Sequence, residues 1–144
     1  MRPVTIIMIE DDEGHARLIE KSLRAAGIAN AIVVFTDGAS ALSHFFGQDG
    51  WGGVSAGAAL LILLDLNLPD MDGGEILRQL KQNLHLKRTP VVILTTTDDE
   101  REIQRCYDLG CNLYITKPVD YTRFANAVRQ LGLFFSIIEV PEAA

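Results

Sequence analysis

Apolar residues come along the chain in short bursts separated by stretches of helical period. Val4–Ile9 is an apolar run that stops at Glu10. Glu13 to Ala26 then places Ala16, Ile19, Leu23 and Ala26 on one face, a helix pattern closed by Gly27. Ala31–Thr36 is apolar and β-branched, and Asp37-Gly38 opens a short helix through Phe46. Ala59–Leu64 is continuously apolar, the mark of a strand covered on both faces. Gly74–Gln82 reads as a helix and Pro90–Leu94 as a strand. Asp99–Leu109 reads as a helix with Asp98 as its N-cap and Gly110 just past its end. Asn112–Thr116 is a strand, and Asp120–Leu131 is the last helix, capped by Asp120. Five strands alternating with five helices predict an α/β domain with a parallel sheet between two helical layers.

One connection does not fit short-loop expectations. Gly47–Gly57 holds five glycines and Trp51 and cannot be regular structure. It reads as a surface loop or as a contact loop anchored by Trp51.

The length of 144 residues predicts a single core. Hydrophobic residues at 48% and charged ones at 22% exclude a disordered chain. Thirteen Lys+Arg against 19 Asp+Glu give a net charge of −6, with no basic cluster, so neither nucleic acid nor anionic lipid is an expected partner. The longest apolar run, Ala58–Leu64, is far shorter than the roughly 20 residues a membrane helix needs. Acidic residues follow Val4–Ile9 where a secretory signal would carry a cleavage site. Cys106 and Cys111 lack metal-ligand spacing and read as core thiols of a reduced, cytoplasmic protein. His15 reads as a surface residue, and His44 and His85 show no ligand spacing.

In an open parallel sheet, functional groups gather at the carboxyl ends of the strands. The first strand ends in Glu10-Asp11-Asp12-Glu13, the third in Asp65 with Asn67, Pro69 and Asp72-Gly73 beyond, the fourth in Thr95-Thr96-Thr97, and the fifth in Lys117-Pro118. A nucleotide-binding sheet would carry a glycine-rich turn after the first strand. Four acids there would instead repel phosphate unless a cation intervened. Clustered carboxylates are hard ligands suited to Mg²⁺, and a carboxylate beside that ion can attack phosphorus to give an aspartyl-phosphate. Thr95 and Lys117 would then support the phosphoryl group. Taken singly, each group has a plainer reading: a helix start favoured by the dipole, a turn Asp, hydroxyl-to-backbone bonds at a strand end, a solvated lysine. Their joint arrival at strand ends points to phosphoryl transfer.

The motifs I-E-D-D, L-L-D-L-N-L-P-D-M-D-G, P-V-V-I-L-T-T and Y-I-T-K-P, in that order, resemble the receiver domain of two-component response regulators. The likeness covers about residues 4–131. It implies a flavodoxin-like sheet of order 2-1-3-4-5 and Asp65 as phosphoacceptor. By the same resemblance Glu10, Asp11, Asp65 and the Asn67 backbone carbonyl hold Mg²⁺ or Mn²⁺, with Glu10 acting through water. Thr95 is the switch hydroxyl, Tyr114 the switch aromatic, Lys117 the phosphate-binding lysine, and Lys117-Pro118 a candidate cis peptide. Glu10 stands where Asp is more frequent, Thr96 where a small residue would leave freer access, and Asp12 has no family role.

The phrase L-K-R-T-P-V-V-I-L-T-T-T, the long loop and the apolar tail resemble the stand-alone regulators that partner bacterial phytochromes. That narrower likeness implies a sensor histidine kinase, a bacteriophytochrome, as phosphodonor. The expected organisation is a receiver domain at 1–131, an apolar extension at 132–144 and no output domain. Phe124, Ala127, Val128 and Leu131 would dock the last helix, and the apolar residues after it predict a homodimer through that helix and tail, the alternative being a tail folded back onto its own domain against Trp51. The chain is expected to be a phosphoacceptor that supports its own phosphotransfer and dephosphorylation rather than an enzyme. Two alternatives are an Asp-nucleophile phosphohydrolase, which commonly carries an acid where this chain has Asn67, and a degenerate receiver that only mediates contacts.

Overall fold

The computed structural model describes residues 4–47 and 59–117, together with positions 122 and 126. The elements run β1 (Thr5–Ile9), α1 (Glu13–Ala25), β2 (Ile32–Phe35), α2 (Gly38–Phe46), β3 (Leu60–Leu64), α3 (Gly73–Gln82), β4 (Val91–Thr95), α4 (Glu100–Leu109) and β5 (Leu113–Thr116). All five strands are parallel, in the order β2-β1-β3-β4-β5. This is the flavodoxin-like arrangement the motifs imply. Thr122 and Asn126 are helical, but the rest of the expected last helix lies outside the described residues. So do most of the Gly47–Gly57 loop with Trp51, the Lys117–Pro118 bond and the 132–144 tail with its dimer contacts.

Residues of alternate parity divide the core into two layers, because successive strand side chains point to opposite faces. Ile6, Met8, Leu61, Leu63, Val92 and Leu94 meet Ala16, Ile19 and Leu23 of α1. Ile7, Ile9, Ile62, Leu64, Val91 and Ile93 meet α2, α3 and α4 through Phe45, Ile76, Leu77, Leu80 and Cys106. The continuous apolar runs of β3 and β4 are buried at every position. β2 is apolar too, but it is not buried in this way. It is an edge strand two residues shorter than Ala31–Thr36, and Val33 and Val34 are exposed. Ala26 also leaves the expected buried face, because it caps α1 while Ser22 and Ile28 are covered.

Short polar side chains set the helix starts. Asp12, Asp37 and Asp72 cap α1, α2 and α3 by accepting from the N–H groups of His15, Ser40 and Gly74. Asp99, rather than Asp98, caps α4, accepting from the Arg101 N–H. At the other end Gly110 has φ 106°, the left-handed backbone that glycine adopts without a Cβ penalty. Cys106 and Cys111 are free and buried, and burial pushes the Cys106 thiol up to about 12. Among the described residues no helix is long and apolar enough to cross a membrane.

Gly73 ties α3 to the end of β3. A Cβ there would stand 2.3 Å from the Asp65 carbonyl oxygen and 2.7 Å from the Leu66 Cα. Neither backbone atom can swing away as a side chain would. Gly73→Ala is therefore expected to lose about 2–3 kcal/mol in urea unfolding. A variant as stable as wild type would contradict this close approach.

Candidate functional site

The strand order makes β1, β3, β4 and β5 neighbours, so the residues that follow them converge. Ile9 is level with Leu64, and the Asp65 N–H donates to the Ile9 carbonyl at 3.0 Å. Thr95 is level with Thr116, and the Lys117 N–H donates to the Thr95 carbonyl at 2.6 Å. Glu10, Asp65, Thr95 and Lys117 are buried at this edge, whereas Asp11 is exposed. The site lies where the connections from β1 and β3 lead to opposite sides of the sheet, the usual ligand position in such folds.

The four acids after β1 divide their work. Glu10 turns inward, Asp11 faces the open side, Asp12 caps α1, and Glu13 stands on its exposed first turn beside Arg17. The dipole reading thus holds for Asp12 and Glu13, and the chemical reading for Glu10 and Asp11. Asp12 gains a definite structural role, which the resemblance had not supplied.

Lys117 is the buried counter-charge. Its Nζ donates to Glu10 Oε1 and, at 3.1 Å, to Asp65 Oδ2. Asp65 Oδ1 accepts from the Asn67 N–H at 3.0 Å. Burial disfavours the Asp65 charge, but the Asn67 N–H, the Thr95 hydroxyl, Glu10 and Lys117 outweigh it and hold this carboxyl below its ordinary range. Glu10 goes the other way. Burial pushes it up to about 7, the Lys117 ammonium offsets part of that, and a hydrogen bond shared with Asp65 adds to the rise. A single proton on Glu10 thus relieves the repulsion between two buried carboxylates.

A testable consequence follows for stability without metal. The folded chain holds a proton on Glu10 that the unfolded chain releases near pH 4.5, so this group weakens folding as pH rises from about 4.5 to about 7. Below that window the penalty is absent, and above it the penalty is complete. In chelator-treated protein, the stability of Glu10→Gln relative to wild type should therefore rise between pH 5 and pH 7. A difference that stays flat or falls across those pH values would contradict the assignment.

Thr95 is fully buried and accepts from the Asn67 side-chain amide at 3.2 Å. The same amide lies 3.4 Å from the Thr96 hydroxyl and 3.1 Å from that of Thr97. Thr96 is exposed, so its hydroxyl lines the open side of the site. The Tyr114 hydroxyl donates to the Thr97 carbonyl at 2.6 Å, and burial pushes this phenol up to about 12. Tyr114 therefore touches the β4–α4 connection.

Two contributors escaped the sequence reading. His15, expected to be a plain surface residue, places Nδ1 3.2 Å from Lys117 Nζ. Its position in the first turn after the acidic quartet was the available signal. Asp70 accepts from the Gly38 and Ala39 N–H groups, each at 2.8 Å, and so fastens the β3–α3 loop to the start of α2. Those partners are more than 30 residues away, so no local pattern announces the contact. His44 instead packs its ring on Phe35 and Phe45.

Oxygen atoms of Glu10, Asp11 and Asp65 lie within 4.8 Å of one another. Three hard donors, two buried and one open to solvent, fit a small divalent cation that keeps part of its water.

The response regulator receiver domain family matches residues 6–129. The response regulator Rcp1 of Synechocystis is 40% identical over 115 residues, spanning 80% of this chain and 77% of that protein. A response regulator receiver domain from Rhodospirillum rubrum superposes with a TM-score of 0.93 at 69% identity, covering 96% of this chain and 98% of that one. The Mn²⁺-bound form of Rcp1 gives 0.84 at 34% identity, covering 97% and 99%. The phosphorylated cyanobacterial phytochrome response regulator RcpA also gives 0.84, at 36% identity, covering 95% and 97%. The chain belongs to the response regulator receiver domain family.

Proposed function

We propose that this receiver accepts a phosphoryl group from a sensor histidine kinase onto Asp65, in a reaction that depends on Mg²⁺ or Mn²⁺. The observation that carries the reading is the buried Asp65 carboxylate, kept charged between Lys117, Thr95 and the Asn67 N–H, with Glu10 and Asp11 beside it. An Asp65 oxygen attacks phosphorus, the P–N bond to the donor imidazole breaks, and the departing imidazole nitrogen takes a proton. Lys117 stands where it can follow the phosphoryl oxygens, and Thr95 supplies a hydroxyl at the same edge. A cation held by Glu10, Asp11, Asp65 and the Asn67 carbonyl would neutralise charge on those oxygens.

Thr95 and Tyr114 are the groups through which phosphorylation would be felt outside the site, by way of the Thr97 contact. A phosphohydrolase is disfavoured because Asn67 offers an amide engaged by hydroxyl groups, and no acid, two residues after Asp65. A contact-only receiver is disfavoured by the intact cluster. The likeness to the phytochrome response regulator RcpA and to the bacteriophytochrome response regulator AtBRR supports a bacteriophytochrome as the kinase. Incubation with acetyl phosphate and Mg²⁺ should add one hydroxylamine-sensitive phosphoryl group to the chain. No uptake at any Mg²⁺ concentration, from either acetyl phosphate or a phosphorylated histidine kinase, would overturn the proposal.

On sequence grounds, the same proposal includes a homodimer through the last helix and tail. Light scattering should give twice the chain mass for the full-length protein and a monomer after truncation at Leu131. A full-length monomer at micromolar concentration, with or without phosphodonor, would remove the dimer from the account.

A further inference from the structure

Among the described residues Lys117 Nζ has three polar neighbours: Glu10 Oε1, Asp65 Oδ2 at 3.1 Å and His15 Nδ1 at 3.2 Å. An ammonium carries three donors and no acceptor, so in the third contact the imidazole nitrogen is the acceptor. His15 is well placed for this. Its backbone N–H is held by the Asp12 side chain at 2.9 Å in the first turn of α1, and its side chain is 41% exposed above a lysine that is 2% exposed.

These contacts have different futures once Asp65 is modified. The donor now aimed at Asp65 Oδ2 must turn to a phosphoryl oxygen, while those to Glu10 and His15 can stay as they are. We infer that His15 is a positioning residue: its Nδ1, with Glu10, holds the Lys117 ammonium in place while the third donor passes from Asp65 to the phosphoryl group. The inference rests on the reading of Asp65 as phosphoacceptor. It makes α1 part of the phosphorylation machinery through the His15 contact with Lys117.

The plainer alternative is that His15 merely covers Lys117. Two substitutions separate the readings. His15→Leu keeps bulk and removes the acceptor. His15→Asn loses bulk but places Oδ1 the same number of bonds from the backbone as the imidazole Nδ1. Rates of phosphorylation by acetyl phosphate at saturating Mg²⁺ are measured for the full chain, with the labelled residue located in each protein. His15→Leu should slow the reaction roughly tenfold, the scale of one hydrogen bond to a charged group, with His15→Asn within about twofold of wild type. Equal rates in all three proteins, or His15→Asn slowed as much as His15→Leu, would overturn the positioning role while leaving Asp65 as acceptor. Wild-type label at a residue other than Asp65 would instead overturn the reading beneath it, and this inference with it.

Discussion

Asp65→Asn protein is expected to fold normally and to take up no phosphoryl group. The substituted amide keeps a carbonyl oxygen where Asp65 Oδ1 accepts from the Asn67 N–H, so the turn after β3 retains its anchor. Lys117 loses one of two carboxylate partners and keeps Glu10. The amide has no anionic oxygen to attack phosphorus, so the loss should be complete rather than partial. Neighbouring acids are poor substitutes. Asp12 is committed to the α1 cap, and Asp72 caps α3 and pairs with Arg105 at 2.9 Å. Hydroxylamine-sensitive label at the wild-type level in Asp65→Asn protein would move the acceptor elsewhere.

The second large effect is expected from Asp11→Ala. Asp11 is exposed and no helix depends on it, so the substitution should change stability by no more than about 0.5 kcal/mol. Its oxygen nevertheless completes the three-carboxylate cluster. Removing it leaves Glu10 and Asp65, and Glu10 is the carboxyl that burial tends to keep protonated. Phosphorylation from acetyl phosphate in Mg²⁺ should fall on the order of 100- to 1,000-fold, the scale for losing a preorganised electrostatic stabiliser. Wild-type rates with unchanged Mg²⁺ dependence would show that the cation does not need this residue.

Much of the architecture is legible in the chain because it rests on local rules. The apolar run Ala59–Leu64 reads as a strand covered on both faces, and β3 is one; β4 is buried at every position as well. Asp37 before Gly38 gave the start of α2, and Gly110 the end of α4. The fold brings Glu10, Asp11, Asp65, Thr95 and Lys117 together because each ends or follows a strand and those strands are adjacent. Departures arise where the deciding contact is tertiary or where two residues compete for one task. Asp98 and Asp99 are chemically equivalent caps, and only the backbone path selects Asp99. Val33 and Val34 belong to an apolar run yet are exposed, because their strand lies at the sheet edge. His15 sits in the first turn of a helix whose exposed start looked purely solvated, and a lysine 102 residues later in the chain gives it a partner. Asp70 is likewise engaged only by a helix from elsewhere in the fold.

The central claim is that a phosphoryl group is carried by Asp65. Borohydride reduces an acyl phosphate to the alcohol, so trapping the wild-type protein during reaction with acetyl phosphate and Mg²⁺ turns the acceptor aspartate into homoserine. Peptide mass spectrometry should find homoserine at position 65, only when both phosphodonor and divalent cation are present. Homoserine at another aspartate, with position 65 unaltered, would contradict the account.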